Sequence, residues 1–229
     1  IARDLRIYLI DTNMQVQFTG LHTRERRLAD TLLDGEHVLF DKRSKHFNRF
    51  MAFDVYYING VDVRGFPLHS NTPIGPIADA AGRERLMEAT DLRSRIFYMQ
   101  KIIGALNAES VVKGGSSASA MTVHTKNYEI ATSERNIFEC TKKVLDGIHE
   151  LEYETDGVIY TPLLLGVGAT KVDDTRKVNR KASWAHMFKW KPLKDLTNDF
   201  LVTTAKNPRT NEDAIQTLLV KGGGTKGSL

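Results

Sequence analysis

Apolar and polar residues alternate in short runs along most of the chain, the period-two pattern of strands. Residues 5–10, Leu-Arg-Ile-Tyr-Leu-Ile, read as a strand, and Asp11-Thr12-Asn13 as the turn after it. Residues 15–18 read as the returning strand of a hairpin, so the chain reads as beginning inside an element. Residues 31–40 are expected to form two strand halves around a kink at Asp34-Gly35-Glu36. The run from Phe50 to Ile58 is a strong strand, closed by the turn Asn59-Gly60, with residues 61–63 pairing back. Residues 65–82, rich in Gly, Pro, Ser and Asn, read as a loop. The period then becomes helical. Leu86, Leu92, Ile96, Ile103 and Leu106 share roughly one face and predict a helix over residues 83–106. Gly114-Gly115-Ser116-Ser117-Ala118-Ser119 reads as a mobile loop or a join across missing residues. Residues 120–130 are expected to be a strand. Ser133 is the expected N-cap of a helix over 134–151, with Ile137, Val144, Ile148 and Leu151 inward. Further on, residues 171–181 read as a polar, basic surface excursion and 184–191 as a strand. Asp199-Phe200-Leu201-Val202 opens something new, and the glycine-rich residues 221–227 look unfinished. There is no internal repeat. Strands dominate, with two long helices between them, which predicts an α+β fold with largely antiparallel sheets.

Composition changes this picture little. The chain has 229 residues, 41% hydrophobic and 26% charged, enough for one large domain or one domain plus part of a second. No apolar run approaches the roughly 20 residues of a membrane span. Charges in Ile1-Ala2-Arg3-Asp4-Leu5-Arg6 interrupt any apolar signal-peptide core. The single cysteine, Cys140, makes no internal disulfide and reads as a small buried side chain on a helix in a reduced, intracellular compartment. A net charge of +4 permits a polyanionic partner without demanding one.

Candidate chemistry concentrates in two late stretches. The first is Glu154-Thr155-Asp156-Gly157-Val158-Ile159-Tyr160-Thr161-Pro162, a turn with a carboxylate running into an apolar strand. The second is Phe188-Lys189-Trp190-Lys191-Pro192, where lysines at i and i+2 of a strand point to one side. A carboxylate facing a lysine pair suits a metal–triphosphate: the carboxylate holds a hard cation and the ammonium groups neutralise phosphate oxygens. Taken singly, each motif has a plainer reading. Asp-Gly is a common turn, Lys-x-Lys a common solvated edge, and the Arg24–Arg27 cluster (Arg-Glu-Arg-Arg) a solvated surface. Phe53 reads equally as core, and Asp54 as a turn cap. The seven histidines, His37 and His124 included, lack metal-ligand spacing, and Trp184 and Trp190 read as packing residues.

Order carries more than any single motif. Leu33-Asp34-Gly35-Glu36, Phe53-Asp54, Thr155-Asp156-Gly157-Val158-Ile159 and Phe188-Lys189-Trp190-Lys191-Pro192, followed by Asp199-Phe200-Leu201-Val202, occur in sequence. The series resembles the covalent nucleotidyltransferase superfamily, within it most closely the mRNA capping guanylyltransferases of large DNA viruses, and the resemblance spans residues 5–202. It implies a nucleotidyltransferase core over 1–196 with flanking helices, and the beginning of an OB-fold domain over 197–229. It implies transfer of GMP from GTP, through a lysyl-GMP intermediate, to the 5′-diphosphate end of RNA, with Mg²⁺ or Mn²⁺ as cofactor. Glu36 would hold the ribose or position the metal, Phe53 would stack on guanine, and Lys126 would contact the base carbonyl. Asp156 would bind the metal, while Lys189 and Lys191 would hold the phosphates and stabilise the charge developing in transfer. Fused or associated RNA triphosphatase and methyltransferase domains are implied partners, and the host cytoplasm or virion the implied location.

The family's nucleophile lies in a Lys-x-Asp-Gly motif, which these 229 residues do not contain; Lys171-Val172-Asp173-Asp174 lacks the glycine. The nucleophile is therefore expected upstream of Ile1. Two other readings stand beside the capping enzyme. An ATP-dependent DNA or RNA ligase shares Asp34-Gly35-Glu36 but usually carries Glu-Gly where this chain has Asp156-Gly157. A catalytically silent nucleotidyltransferase-like module would also lack the nucleophile.

Overall fold

In the computed structural model the described residues are 1–70, 94–112, 120–172, 184–193, 196, 204, 206–214, 217–220 and 224–227. They form a mixed α+β structure, rich in sheet and poor in helix, with no barrel among them. The chain divides into two compact units, Ile1–Lys191 and Pro192–Leu229. No described helix is long and apolar enough to cross a membrane.

The first unit opens with two hairpins built on the same local device. Strands β1 (Arg6–Ile10) and β2 (Val16–His22) pair antiparallel. In their turn the Asp11 carboxylate accepts from the amides of Asn13 and Gln15 at 2.9 and 2.8 Å. Strands β3 (Leu32–Phe40) and β4 (His46–Ile58) also pair antiparallel, and there Asp41 accepts from Arg43 and Lys45, both at 2.8 Å. An aspartate that bonds backbone two residues on is the usual nucleus of such turns. β4 then turns through Asn59 and Gly60, both at positive φ (47° and 77°), into β5 (Val61–Asp62). Two left-handed residues give the primed turn whose twist matches a hairpin.

Two further strands complete these sheets. β6 (Glu109–Ser110) pairs with β2, and β7 (Thr122–Thr125) pairs with β4. The β4–β7 pairing is parallel, an exception to the antiparallel expectation. Helix α1 (Arg95–Ala105) lies against β4 and β7. Its Tyr98, Met99 and Ile102 join Ala52, Val55 and Ile58 of β4 in one buried core, which Ile7 and Leu21 of the first hairpin share. This apolar burial, at about 25 cal/mol per Å², is the main force holding helix to sheet.

Several boundaries differ from expectation. Leu32–Phe40 is one continuous strand, and the kink is a register shift between Asp34 and Gly35 within it. The expected 120–130 strand ends at Thr125 because Tyr128 turns its hydroxyl to the Phe53 carbonyl and takes the chain off the ladder. The second helix, α2 (Ile137–Gly147), starts later than expected. Asn136, not Ser133, is its cap: Asn136 accepts from the Phe138 and Glu139 amides, and Glu139 accepts from the Asn136 amide. That reciprocal box needs an acid three residues after the cap, which Ser133 lacks. Ile137, in the first turn, is consequently exposed rather than inward. The late strand is only Phe188–Trp190, here β9, antiparallel to β8 (Val158–Tyr160). For the first helix, Ile96 and Leu106 are buried and Ile103 half-buried, as expected, while Leu86 and Leu92 lie outside the described residues. So do residues 71–82 of the expected loop, the 114–119 glycine–serine run, 173–181 of the basic excursion and the 199–202 strand.

In the second unit, β10 (Thr217–Val220) pairs antiparallel with β11 (Gly224–Gly227), and Lys206 bridges to Asp213.

Candidate functional site

The bulge in the β3–β4 ladder builds the first half of the site. Asp34 pairs with Asp54 and Gly35 with Ala52, which leaves Phe53 as the extra residue on β4. An extra residue twists its strand and re-aims its side chain. Gly35 is required opposite it, because a Cβ there would sit 2.6 Å from the Phe50 ring and 2.8 Å from the Met51 carbonyl oxygen. The Tyr128 hydroxyl donates to the carbonyl of Phe53, so the ladder position lost to the bulge is satisfied. Burial raises the Tyr128 hydroxyl above its ordinary pKa, keeping it a neutral donor.

Lys126 ties this half together. Its amide donates to the Ala52 carbonyl at 2.7 Å, one step beyond the β4–β7 ladder. Its ammonium lies 5.9 Å from the centre of the Phe53 ring and 2.5 Å from Oε2 of Glu36 on β3. Since β7 and β3 flank β4, the Lys126 side chain reaches across β4 to make this contact. Asp34 does not share the work: Tyr56 donates its hydroxyl to Oδ2 of Asp34 and fixes that carboxylate. Burial first, and this bond second, drive the Tyr56 hydroxyl above its ordinary range.

The second half stands on the β8–β9 ribbon. Asp156 precedes β8, Lys191 follows β9, and Nζ of Lys191 donates to Oδ2 of Asp156 at 2.5 Å. The hydrogen bond from Lys191 is the main cause that holds the Asp156 carboxyl below the usual carboxylate range, and the charge of Lys126 adds to it. Asp156 therefore lies within electrostatic reach of the first half. Lys189 pairs across the ribbon with Ile159 and is exposed, with no hydrogen bond or ion pair to another described residue. Glu36, Phe53 and Lys126 thus form one cluster and Asp156 and Lys191 another, with Lys189 on β9 two residues before Lys191. A pocket among the described residues borders the bulge, with Ile7, Leu33, Asp34, Gly35, Leu106 and Met121 in its wall.

Both ion pairs are solvated. The Asp156 side chain is 74% exposed and that of Lys126 26%. Exposed pairs contribute only about 0–1 kcal/mol, so a ligand with its own charges can replace them at little cost. Among the described residues no three His, Cys, Asp or Glu side chains converge as a metal cage. One carboxylate plus substrate phosphates is, however, the ordinary way to bind Mg²⁺. Asp156 is an exposed carboxylate of that kind.

Sequence reasoning missed three supports. Asp54 is no turn cap: it is buried and accepts from Nε of the fully buried Arg95 at 2.8 Å, and Arg95 also donates to the Phe66 and Leu165 carbonyls. One charge inside an apolar run, Asp54 in β4, was the available signal. Tyr128 and Tyr56 gave none, because their partners are fixed by register. Comparison of the chain with protein-family profiles, with curated proteins and with solved structures finds no match.

Proposed function

We infer that the chain is the guanylyltransferase domain of an mRNA capping enzyme. One observation carries the proposal: the Lys126 ammonium contacts Glu36, lies over Phe53 and acts on Asp156, which is itself paired with Lys191. Five stretches far apart in sequence thus supply an aromatic face, a donor beside it, carboxylates and a phosphate-binding cation. Those are the parts of a site for a purine nucleoside triphosphate with its metal. In this proposal the Ile1–Lys191 unit is the nucleotidyltransferase core, the other unit begins an OB-fold, and the protein acts inside the cell or virion.

The roles follow from the chemistry. Phe53 stacks on the base, and the Lys126 ammonium donates to a purine O6, which guanine has and adenine lacks. A donor that the bound base covers and leaves unpaired discriminates more strongly than stacking can. Glu36, relieved of Lys126, accepts from the ribose hydroxyls. Mg²⁺, when bound, neutralises phosphate charge. Lys189 and Lys191 stabilise the negative charge growing on the α-phosphoryl oxygens and the pyrophosphate. A lysine amine attacks the α-phosphorus. The N–P bond forms, the P–O bond to pyrophosphate breaks, and the amine proton is lost. The β-phosphate oxygen at the RNA 5′ end then attacks the same phosphorus, the N–P bond breaks, and the lysine is regenerated. In this proposal the attacking lysine is that of a Lys-x-Asp-Gly motif, which these 229 residues do not contain.

Incubation with labelled GTP or ATP and Mg²⁺ tests the proposal. The 229-residue chain should bind GTP more tightly than ATP yet form no SDS-resistant adduct. A protein extended upstream to a Lys-x-Asp-Gly should label with GTP and lose labelling when that lysine is alanine. Equal use of ATP would replace the capping assignment by the ligase one.

A further inference from the structure

The β8–β9 ribbon carries two aromatic rings that the nucleotide site does not use. Phe188 and Trp190 stand at i and i+2 of β9, so they share one face. They are 64% and 45% exposed, and among the described residues neither stacks on another aromatic ring. Lys189 lies between them and Lys191 follows, so aromatic and cationic residues alternate. The ribbon is fixed without hiding the rings. Tyr160, opposite Phe188, meets the Thr141 hydroxyl of α2 at 3.1 Å, and Gly157 lies against the Trp190 backbone.

We propose that Phe188 and Trp190 are a stacking platform for single-stranded nucleic acid, holding bases of the strand whose 5′ end is presented at Asp156 and Lys191. Three observations select this occupant over an apolar protein surface. The exposed groups of β9 are aromatic rather than aliphatic. The same ribbon is basic, with Lys189 on the opposite face of the strand and Lys191 following it, as suits a polyanionic partner. The two rings are about 6.8 Å apart along the strand, twice the about 3.4 Å rise of one nucleic-acid strand, so each can take its own base. Trp190 immediately precedes Lys191 in the chain, so the platform and the cation belong to one ribbon. The assignment of the strand as the guanylyl acceptor rests on the capping proposal; the stacking itself does not.

Binding of a fluorescein-labelled oligouridylate of about eight nucleotides, at low salt and without GTP, tests this directly. Fluorescence anisotropy should show each of Phe188→Ala and Trp190→Ala weakening binding about tenfold. In a Trp184→Phe background, where Trp190 is the only tryptophan, the oligonucleotide should quench its fluorescence. Phe188→Leu and Trp190→Leu keep apolar bulk and strand geometry but remove the π-face. They should bind as weakly as the alanine variants, whereas Phe188→Tyr and Trp190→Phe should bind nearly as wild type. GTP binding in the four ring variants should stay within about twofold of wild type. Wild-type oligonucleotide binding by the Phe188→Leu/Trp190→Leu double variant overturns the platform. So does self-association of the chain that Trp190→Ala abolishes, since the face is then a protein interface. Oligonucleotide binding that needs both rings in a protein that binds no GTP would sink the capping proposal and leave the platform standing.

Discussion

Gly157 lies so close to Trp190 that a Cβ on it would stand 1.9 Å from the Trp190 carbonyl oxygen, and its φ of 150° is one that side-chain-bearing residues rarely adopt. This contact lets Asp156 and Lys191 approach each other. Gly157→Ala must therefore push β8 from β9. The expected result is loss of at least tenfold in GTP affinity, the scale of one lost charge-assisted contact, without global unfolding, read by calorimetry and circular dichroism. Gly104→Ala is the control. Gly104 is helical and has open space around its Cβ position, so that variant should gain up to about 1 kcal/mol and a few degrees in Tm. Unchanged GTP affinity in Gly157→Ala would detach the Asp156–Lys191 pair from nucleotide binding.

Lys126→Ala should reduce the preference for GTP over ATP more than it reduces overall affinity. Phe53 would still stack on either base, while the donor beside it is gone. Competition of the two nucleotides for wild type and variant measures the ratio. A variant that loses affinity for both equally would make Lys126 a holder of Glu36 and not a reader of the base.

Asp156→Ala and Lys191→Ala, made in an adduct-forming protein, should each cut lysyl-GMP formation roughly 100-fold, the loss of about 3 kcal/mol typical of one preorganised charge contact. Arg24→Ala should change little, because among the described residues its ion pair is an exposed one with Glu109, 2.9 Å long. Near-normal labelling of both site variants would move the phosphate site elsewhere.

Arg95 and Asp54 should matter for stability. Burial pushes the Asp54 carboxyl up, and Arg95 opposes it. Removing one partner strands the other in the core, so Arg95→Met should cost about 3–5 kcal/mol. The double variant Arg95→Met/Asp54→Leu should recover much of that loss, because no charge is then left buried. Urea denaturation measures both, and a single variant that loses less than about 1 kcal/mol would mean the pair does not anchor α1 to β4.

Acid should weaken the site only well below neutral pH. The folded pKa of Asp156 is depressed by Lys191, so the stability from this pair is present above the unfolded value, about 3.9, and is lost as pH falls through the folded value. Because both groups are largely solvated, the effect on stability is small. GTP affinity of wild type and Asp156→Asn should therefore follow parallel pH profiles between pH 8 and 5. Divergence of the two within that range would show that Asp156 titrates there.

Most local elements were legible in the residue pattern alone. Alternation marked the strands of both opening hairpins and β4, Asn59-Gly60 marked a primed turn, and the spacing of Ile96, Ile103 and Leu106 marked the buried face of α1. These signals act within a few residues, where steric preference and turn chemistry decide. The motif series likewise named Glu36, Phe53, Lys126, Asp156, Lys189 and Lys191 without any geometry. Only the tertiary structure decided which of them meet. The bulge that frees Phe53 depends on how β3 registers against β4, and the reach of Lys126 to Glu36 depends on β7 joining the far edge of β4. The choice of Asn136 over Ser133 turned on one reciprocal bond to Glu139. The burial of Asp54 with Arg95 turned on α1 crossing a strand 41 residues earlier in the chain. Such pairings are set by the whole core closing at once, because no local propensity tells a strand which neighbour it will have.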